Sequence, residues 1–468
     1  MGRGIANERR PEASVPPKSV SPFPLGILRG EPVSDRPLFF QGGRVVDPST
    51  GVDGVLDLLV DGGRIAAIGA GLEAPENAHV VDCSGRVVAP GLIDVHVHLR
   101  EPGGEHKETI LTGARAAAAG GFTAVCAMPN TQPVIDSPAT VAFVAATGRE
   151  AGFARVYPVG AISVGQAGER LTEIGELVKA GAVAVTDDGH PVMDSGLMRR
   201  ALEYATGFDI PVADHAEDLG LSLGGVMNEG KVSTRLGLRG KPNASEDVHT
   251  LRDLLLAELT GGHIHLQHVS TRHSVEAIRQ AKARGVRVTA EATPHHLLLT
   301  EDAVAGYRTE AKMNPPLRTA EDREAVVAGF LDGTLDILAT DHAPHHYEEK
   351  EQAFDDAPFG IVGLETAVGL VLTHFVRKGK MDLSTFVERA SCQPARAFRL
   401  PGGTLAVGAL ADVTVLDLEH SWTVDPQQFL SLSRNTPFTG WPLTGRAVLT
   451  VVGGRIVWAW GEGGNRVS

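Results

Sequence analysis

The sequence predicts an α/β protein: a closed (β/α)8 TIM barrel in the middle of the chain and a small β-sandwich built from both chain ends. Three observations carry that expectation. Between residues 91 and 400, eight short apolar strands alternate with helical patterns. Both flanks read as strand and turn, and LLVDGGRIAAIG near the start resembles LTVVGGRIVWAW near the end. Histidines and acids gather at the C-terminal ends of the middle strands, the face where such a barrel carries its chemistry. An open doubly wound sheet is the rival, but no glycine-rich dinucleotide loop follows a strand.

Taken in order, residues 1–32 hold several Pro and Ser, show no periodicity and lack the apolar stretch of a secretory signal. They are expected to be a disordered or loosely attached extension. Residues 33–90 form the first part of the sandwich, with the glycine pairs at 42–43 and 62–63 read as hairpin turns. Residues 91–400 form the barrel. Its strands are expected at 92–97, 122–127, 155–161, 182–186, 210–214, 263–268, 286–290 and 335–340. Its helices are expected at 106–119, 138–150, 172–179, 195–206, 246–260, 273–284, 321–330, 363–378 and 383–390. Residues 401–468 return to the sandwich.

The bulk numbers bound the function. With 468 residues, 43% hydrophobic and 21% charged, the chain has more than one small core needs. A net charge of -14 gives no reason to expect nucleic acid as a partner. Cys83, Cys126 and Cys392 are too few and too scattered for a disulfide framework or a thiolate zinc site, and they fit a reducing cytoplasm. No run of about 18 uncharged apolar residues is present, so no membrane span is expected.

The strand ends supply the chemistry. Alternation along 92–97 sends His96 and His98 to one side, with Arg100 just beyond. The later strand ends bring Asn130, Asp187 and Asp188, His215, His268, and the run Asp341, His342, His345 and His346. A pair of divalent ions needs about four neutral imidazoles and one or two carboxylates, one of them bridging. His96, His98, His215 and His268 supply the imidazoles, Asp188 or Asp187 the bridge, and Asp341 a further ligand. Hydroxide bridging two cations is a nucleophile at neutral pH, and a carboxylate at the last strand end could pass its proton to a leaving nitrogen. An arginine beside such a centre is costly unless it meets an anion, so Arg100 with Asn130 reads as a grip on a substrate carboxylate. Asn314 and the loop 355–363 read as further pocket wall, where Gly360 could bring backbone amides close to a substrate. His263 and His265 are assigned to packing or to supporting roles, and His295 and His296 to structural hydrogen bonding. His190 and His249 are read as ordinary surface residues.

These stretches resemble the amidohydrolase superfamily and, within it, the bacterial dihydroorotases of the longer (class I) type. The resemblance rests on DVHVHLREPG, MPNT, TDDG, HVST, TAEATPHH, KMNPPLR, DGTLDILATDHAPH and APFGIVGLE, spread from about 37 to 460. It implies a zinc-dependent barrel, with one or two Zn2+ and two expected, that interconverts dihydroorotate and N-carbamoyl-L-aspartate in pyrimidine biosynthesis. It implies His96, His98 and Asp341 as ligands of one metal, His215 and His268 of the other, and Asp188 as the bridge. Arg100, Asn130 and His345 would hold the substrate carboxylate, Asn314 and the Phe359–Gly360 backbone would contact the ring, and Asp341 would also be the general acid/base. Hydantoin-hydrolysing relatives usually carry a carboxylated lysine at the bridge, whereas Lys179, the nearest lysine here, lies eight residues before the Asp187–Asp188 pair. Ala216 stands where relatives often have cysteine, and the first 30 residues are not explained by the family. An allantoinase or hydantoinase, or a catalytically silent structural homologue, are the competing readings. The resemblance also leaves room for a homodimer and for association with aspartate transcarbamoylase.

Overall fold

The computed structural model describes residues 36–461. The expected extension over 1–32 lies outside the described residues, as do 33–35 and 462–468. Five strands precede the barrel: β1 (Leu38–Asp47), β2 (Val52–Asp61), β3 (Arg64–Gly69), β4 (His79–Asp82) and β5 (Val87–Pro90). The barrel begins with β6 (Leu92–Val97), β7 (Phe122–Ala127), β8 (Arg155–Pro158) and β9 (Val212–Asp214). After a small pair, β10 (Met227–Asn228) and β11 (Gly240–Lys241), it resumes with β12 (Ile264–Leu266), β13 (Val288–Ala292) and β14 (Ile337–Leu338). The chain then returns through β15 (Val413–Thr423), β16 (Pro442–Val452) and β17 (Arg455–Ala459).

Both ends build one sheet, in the order β17-β16-β15-β5-β1-β2-β3 with β4 beside β1. The joint between the two ends is the antiparallel pairing of β5 with β15. Phe40, Val45, Leu58 and Ile65 from the first end share a core with Val413, Val415, Leu449 and Val451 from the second. The two Gly-Gly-Arg turns meet where the sheet folds back on itself. Arg64 bridges to Leu410, the Ala411 amide donates to the Gly63 carbonyl at 2.9 Å, and the Gly454 amide donates to the Ala411 carbonyl at 2.9 Å. Gly63 has φ +73°, and a Cβ there would lie 2.9 Å from the Gly453 carbonyl oxygen, so only glycine fits. The pair at 42–43 corrects the sequence reading. It lies inside β1, where the register with β2 slips between Phe40 and Gly43. A Cβ on Gly43 would meet Val88 at 2.7 Å, so this glycine serves a close strand approach and a bulge, not a hairpin turn.

The barrel strands run parallel in two arcs, β6-β7-β8 and β14-β13-β12-β9. Val185 joins them, bridging Gly160 on one side and Val212 on the other. The strand expected at 182–186 runs between the arcs: the Val183 amide donates to the Pro158 carbonyl at 3.1 Å, the Gly160 amide to the Ala184 carbonyl at 3.0 Å and the Thr186 amide to the Gly160 carbonyl at 2.9 Å, while the Val185 amide donates to the Pro211 carbonyl at 3.2 Å. It ends at Asp187, which accepts the Ile162 and Ser163 amides at 2.8 and 3.0 Å. At the other seam the His98 amide donates to the His342 carbonyl at 2.8 Å. The buried Asp94 stitches the same seam, accepting from the Thr340 hydroxyl at 2.6 Å and the His96 amide at 3.1 Å. Ile93, Val95, Ala124, Cys126, Val159, Ile337 and Ala339 pack in the barrel interior with Phe398 and Leu400.

The helices follow their caps. Ile110–Gly120 starts where the Thr109 hydroxyl accepts the Thr112 amide and stops at Gly121, φ 92°. The run expected at 363–378 is the helix Ala367–Val371 continuing into a π-helical turn, Leu372–Val376. The run expected at 383–390 is Leu383–Val387 with a π-helical turn, Glu388–Cys392, and a further helix, Gln393–Phe398, that the pattern did not show.

Sandwich and barrel are tied by Asp412, only 3% exposed, which accepts from Arg155 Nε at 2.7 Å, from Arg155 Nη2 at 3.0 Å and from the Gly453 amide at 2.7 Å. Asp412→Ala leaves a guanidinium and an amide without their acceptor, so it is expected to lower unfolding stability by about 3 kcal/mol. A denaturant titration that finds no loss would show that this tie contributes nothing.

Candidate metal centre

The site forms where the barrel strands end. Between Asp94 and Val97 the β6–β7 register slips, leaving β6 one extra residue just where His96 must turn inward. Three residues here hold left-handed backbones without being glycine: Arg100 (φ 61°), His268 (φ 32°) and Asp341 (φ 48°). Such conformations cost of order 1–3 kcal/mol and persist where the surroundings over-determine them.

Asp188 lies at the centre. Its Oδ1 is 3.5 Å from His96 Nε2, 3.6 Å from His215 Nδ1 and 3.9 Å from His268 Nε2, and its Oδ2 is 3.5 Å from His98 Nε2. Two buried triads, His96–His98–Asp188 and Asp188–His215–His268, therefore share one carboxylate. Asp341 Oδ1 closes the first, 3.2 Å from His98 Nε2 and 3.5 Å from His96 Nε2. His96 Nε2 is buried with no hydrogen-bond partner while its Nδ1 is 2.6 Å from Glu291 Oε1. A ring held from behind by a carboxylate, with its other nitrogen bare and facing two more carboxylates, fits a metal ligand and little else. Asp187, the alternative bridge, is spent on the 162–163 backbone and takes no part.

The surrounding residues fix the ligands. Asn130 Oδ1 is 2.9 Å from His98 Nδ1, and its Nδ2 donates to Asp188 Oδ2 at 3.2 Å. Glu217 Oε2 is 3.1 Å from His215 Nε2, which leaves His215 Nδ1 to face the centre. Lys241 Nζ donates to Glu217 Oε1 at 2.6 Å and to Asn314 Oδ1 at 2.9 Å, and Asn314 Nδ2 donates to Glu217 Oε2 at 2.7 Å. Glu291, Glu217 and Lys241 were not singled out from sequence. Glu291 had a readable signal, an acid inside the apolar run VTAEA at a strand end. Lys241 had none, since only the fold brings its loop to Glu217.

A cavity of about 310 Å³ opens over the centre, lined by the metal-facing residues and by Arg100, Asn130, Asn314, His345, Phe359 and Gly360. The cavity lining thus includes every sequence-predicted site residue except His96, whose Nε2 lies 3.5 Å from Asp188 Oδ1. Arg100 Nη2 lies 3.2 Å from His345 Nε2, and His345 Nε2 is 2.8 Å from the Phe359 carbonyl. Burial first and the Arg100 charge second hold His345 below the ordinary histidine range. The Gly360 amide is committed to the Lys312 carbonyl at 2.9 Å, so in this conformation it is not a free donor as the sequence reading supposed. His263 and His265 bond Thr289, and His296 bonds Thr293 and the Pro315 carbonyl, in the supporting roles expected.

His249 is the clear correction: it is 2% exposed, not a surface residue, and its Nδ1 is 3.0 Å from Asp214 Oδ2. With Asp253 these residues form a third compact group. Arg252 already balances it, with Nη2 2.7 Å from Asp253 Oδ1. Three residues of helix Asn243–Thr260, His249, Arg252 and Asp253, gathered around the strand residue next to His215 left no periodic trace, because the partner is distant in sequence.

Charge makes this centre suited to a cation. Burial opposes a proton on His96, yet Glu291, Asp188 and Asp341 hold it on and push the pKa well above the usual value. Burial likewise opposes charge on His215, yet Asp188 and Glu217 push it up to about 9. Asp341 is buried too, but His96 and His98 keep it well below the usual carboxylate range. The chemistry such a donor set can host is metal-assisted attack on a polarised carbonyl.

Comparison with known proteins agrees. A family model described as dihydro-orotase-like matches residues 85–274. The dihydroorotase of Anaeromyxobacter sp. (strain K) is 58% identical over 422 residues, covering 90% of this chain and 97% of that one. The dihydroorotase of Geobacter metallireducens is 54% identical over 421 residues, 90% of this chain and 99% of that one. Among solved structures, an L-hydantoinase (dihydropyrimidinase) from Arthrobacter aurescens superposes with a TM-score of 0.81 at 28% identity, covering 91% of this chain and 96% of that one. A D-hydantoinase (dihydropyrimidinase) from a Thermus species gives 0.76 at 26% identity, covering 91% and 97%.

Metal uptake must displace the protons that the carboxylates hold on His96 and His215. Titrating the metal-free chain with zinc from about pH 6 to about pH 9 should show affinity rising with pH and about two protons released per chain. Binding of constant strength without proton release would contradict this charge assignment.

Proposed function

The chain belongs to the dihydroorotase family of the amidohydrolase superfamily, and on that premise we propose how its residues carry out the family reaction. The reaction is the reversible hydrolysis of the cyclic amide of (S)-dihydroorotate to N-carbamoyl-L-aspartate, and the enzyme is a metal-dependent cyclic amidohydrolase. Buried histidine and aspartate clusters consistent with a binuclear metal site supply its donors. Among the described residues, no helix is long and apolar enough to cross a membrane.

We assign zinc as the metal and two ions per chain, held by His96, His98 and Asp341 on one side and by His215 and His268 on the other, with Asp188 between. The observation that carries this reading is the single carboxylate of Asp188 shared by two histidine pairs. When bound, the ions supply Lewis-acid activation of water and of the scissile carbonyl. The protein's own residues do the rest. Arg100 and His345, with Asn130, take the substrate carboxylate and so fix the ring's orientation over Asp188. Asn314 and the Phe359–Gly360 wall confine the ring. Asp341 takes the proton from the attacking water and returns it to the ring nitrogen as the carbon–nitrogen bond breaks. In the condensing direction it removes that proton from the carbamoyl nitrogen. Glu217, locked by Lys241, keeps the proton of His215 on Nε2 and so reserves Nδ1 for the metal.

The hydantoinase reading shares the fold but leaves Arg100 without an anion to meet. An assay with dihydroorotate beside uncharged dihydrouracil separates the two. Efficient turnover of dihydroorotate alone supports the assignment, and preference for dihydrouracil would overturn it.

Asp341→Asn keeps a metal-facing oxygen but cannot shuttle the proton, so kcat should fall by about 10³-fold or more with the metal content of the purified protein largely retained. Near-normal turnover would remove Asp341 from the acid/base role. Arg100→Met should lower kcat/KM for dihydroorotate by about 10²-fold, chiefly through KM. An unchanged KM would place the carboxylate grip elsewhere.

A further inference from the structure

His345 Nε2 lies between two groups with opposite demands. Arg100 Nη2, which can only donate, is 3.2 Å away, and the Phe359 carbonyl, which can only accept, is 2.8 Å away. One nitrogen satisfies the first only when bare and the second only when protonated. The ring's other nitrogen has no such choice. His345 Nδ1 is 3.2 Å from Glu349 Oε2, and an ionised carboxylate there requires a proton on Nδ1. Burial opposes charge on Glu349, yet Lys107 and His345 hold its pKa below the usual carboxylate range. Nε2 is therefore bare while the ring holds one proton, and becomes a donor only when it holds two. A substrate carboxylate only accepts, so a bare Nε2 would oppose it and a protonated one would hold it.

The charges around the ring decide between these states. Glu349 Oε1 is 3.0 Å from Lys107 Nζ and 3.6 Å from His106 Nε2, both on the loop that follows Arg100. The segment 358–360 adds no titratable side chain. Burial first, then Arg100, Lys107 and Lys350, disfavour a second proton on His345, and Glu349 favours it. Glu349 does not line the cavity, so it acts only through the imidazole.

On the carboxylate grip proposed above, we propose that Glu349 is a positioning residue for substrate: it fixes the Nδ1 proton of His345 and supplies the counter-charge with which the ring, taking a second proton from solvent onto Nε2, meets the substrate carboxylate as an imidazolium. The carboxylate accepts the Nη2–H of Arg100 that Nε2 had accepted. It also offsets the Arg100 charge, the neighbouring charge that most opposes the second proton. Binding and protonation therefore favour each other.

The test is the KM of the zinc-loaded enzyme for dihydroorotate across pH, for the wild type and Glu349→Gln. Glutamine keeps an oxygen for the Nδ1 proton and removes the charge. The ratio of the variant's KM to the wild type's should be about tenfold near pH 6.5 and fall toward one near pH 9, where the wild-type ring also binds without its second proton. The variant's kcat should stay within about threefold. Taking the ratio cancels titrations at the metals, which both proteins share. On a His345→Asn background, Glu349→Gln should have no further effect, whereas a residue that merely props the loop would cost the same with or without the imidazole. Thermal melting checks that each variant is folded. A ratio near one at pH 6.5, a ratio independent of pH, or an equal loss on the His345→Asn background would each overturn the proposal. Arg100→Met separates the two levels: if it too leaves KM unchanged, the carboxylate grip itself fails, and if it alone raises KM, only the role of Glu349 fails.

Discussion

A single buried carboxylate governs this molecule. Asp188 is 3% exposed and has four histidine nitrogens within 3.9 Å. A carboxylate so far from water is costly unless positive charge surrounds it, and neutral imidazoles do not supply that charge. Without ions, protons can fill the role: the surrounding carboxylates push the pKa values of His96 and His215 above the usual histidine range. With ions, the protons leave. The centre is thus a charge deficit that the fold creates and that a cation would relieve.

Much of the barrel exists to hold that deficit open. The histidines come from the ends of β6, β9 and β12, and three of the four are braced from behind by a polar side chain. Glu291 braces His96, Asn130 braces His98 and Glu217 braces His215. Asp94 closes the seam between β6 and the strand that leads to Asp341, which holds His96 and Asp341 close together. The left-handed backbones at Arg100, His268 and Asp341 are where the strands bend sharply enough to point side chains at one small volume.

The sequence was informative wherever a property repeats locally. Alternating strands and helices announced the barrel, the twin Gly-Gly-Arg turns announced the shared sheet, and His96-Val97-His98 announced a metal site. The fourth strand was legible at 182–186, and its ladder stops where Asp187 spends its carboxylate on the neighbouring backbone. Gly42 and Gly43 looked like a turn because a close strand approach and a hairpin ask for the same residue. His249 looked like surface because its partner, Asp214, is 35 residues away, and Lys241 was invisible for the same reason. Local periodicity encodes which face of an element is buried, but not which polar groups meet inside.

The central claim is that two ions sit on either side of the Asp188 carboxylate. Anomalous X-ray scattering from crystals of the zinc-loaded chain, measured across the zinc edge, tests it most directly. The account predicts two peaks, one among His96, His98 and Asp341 and one between His215 and His268, with Asp188 reaching both. A single peak away from Asp188, or a peak at Asp214, His249 and Asp253 instead, would contradict it.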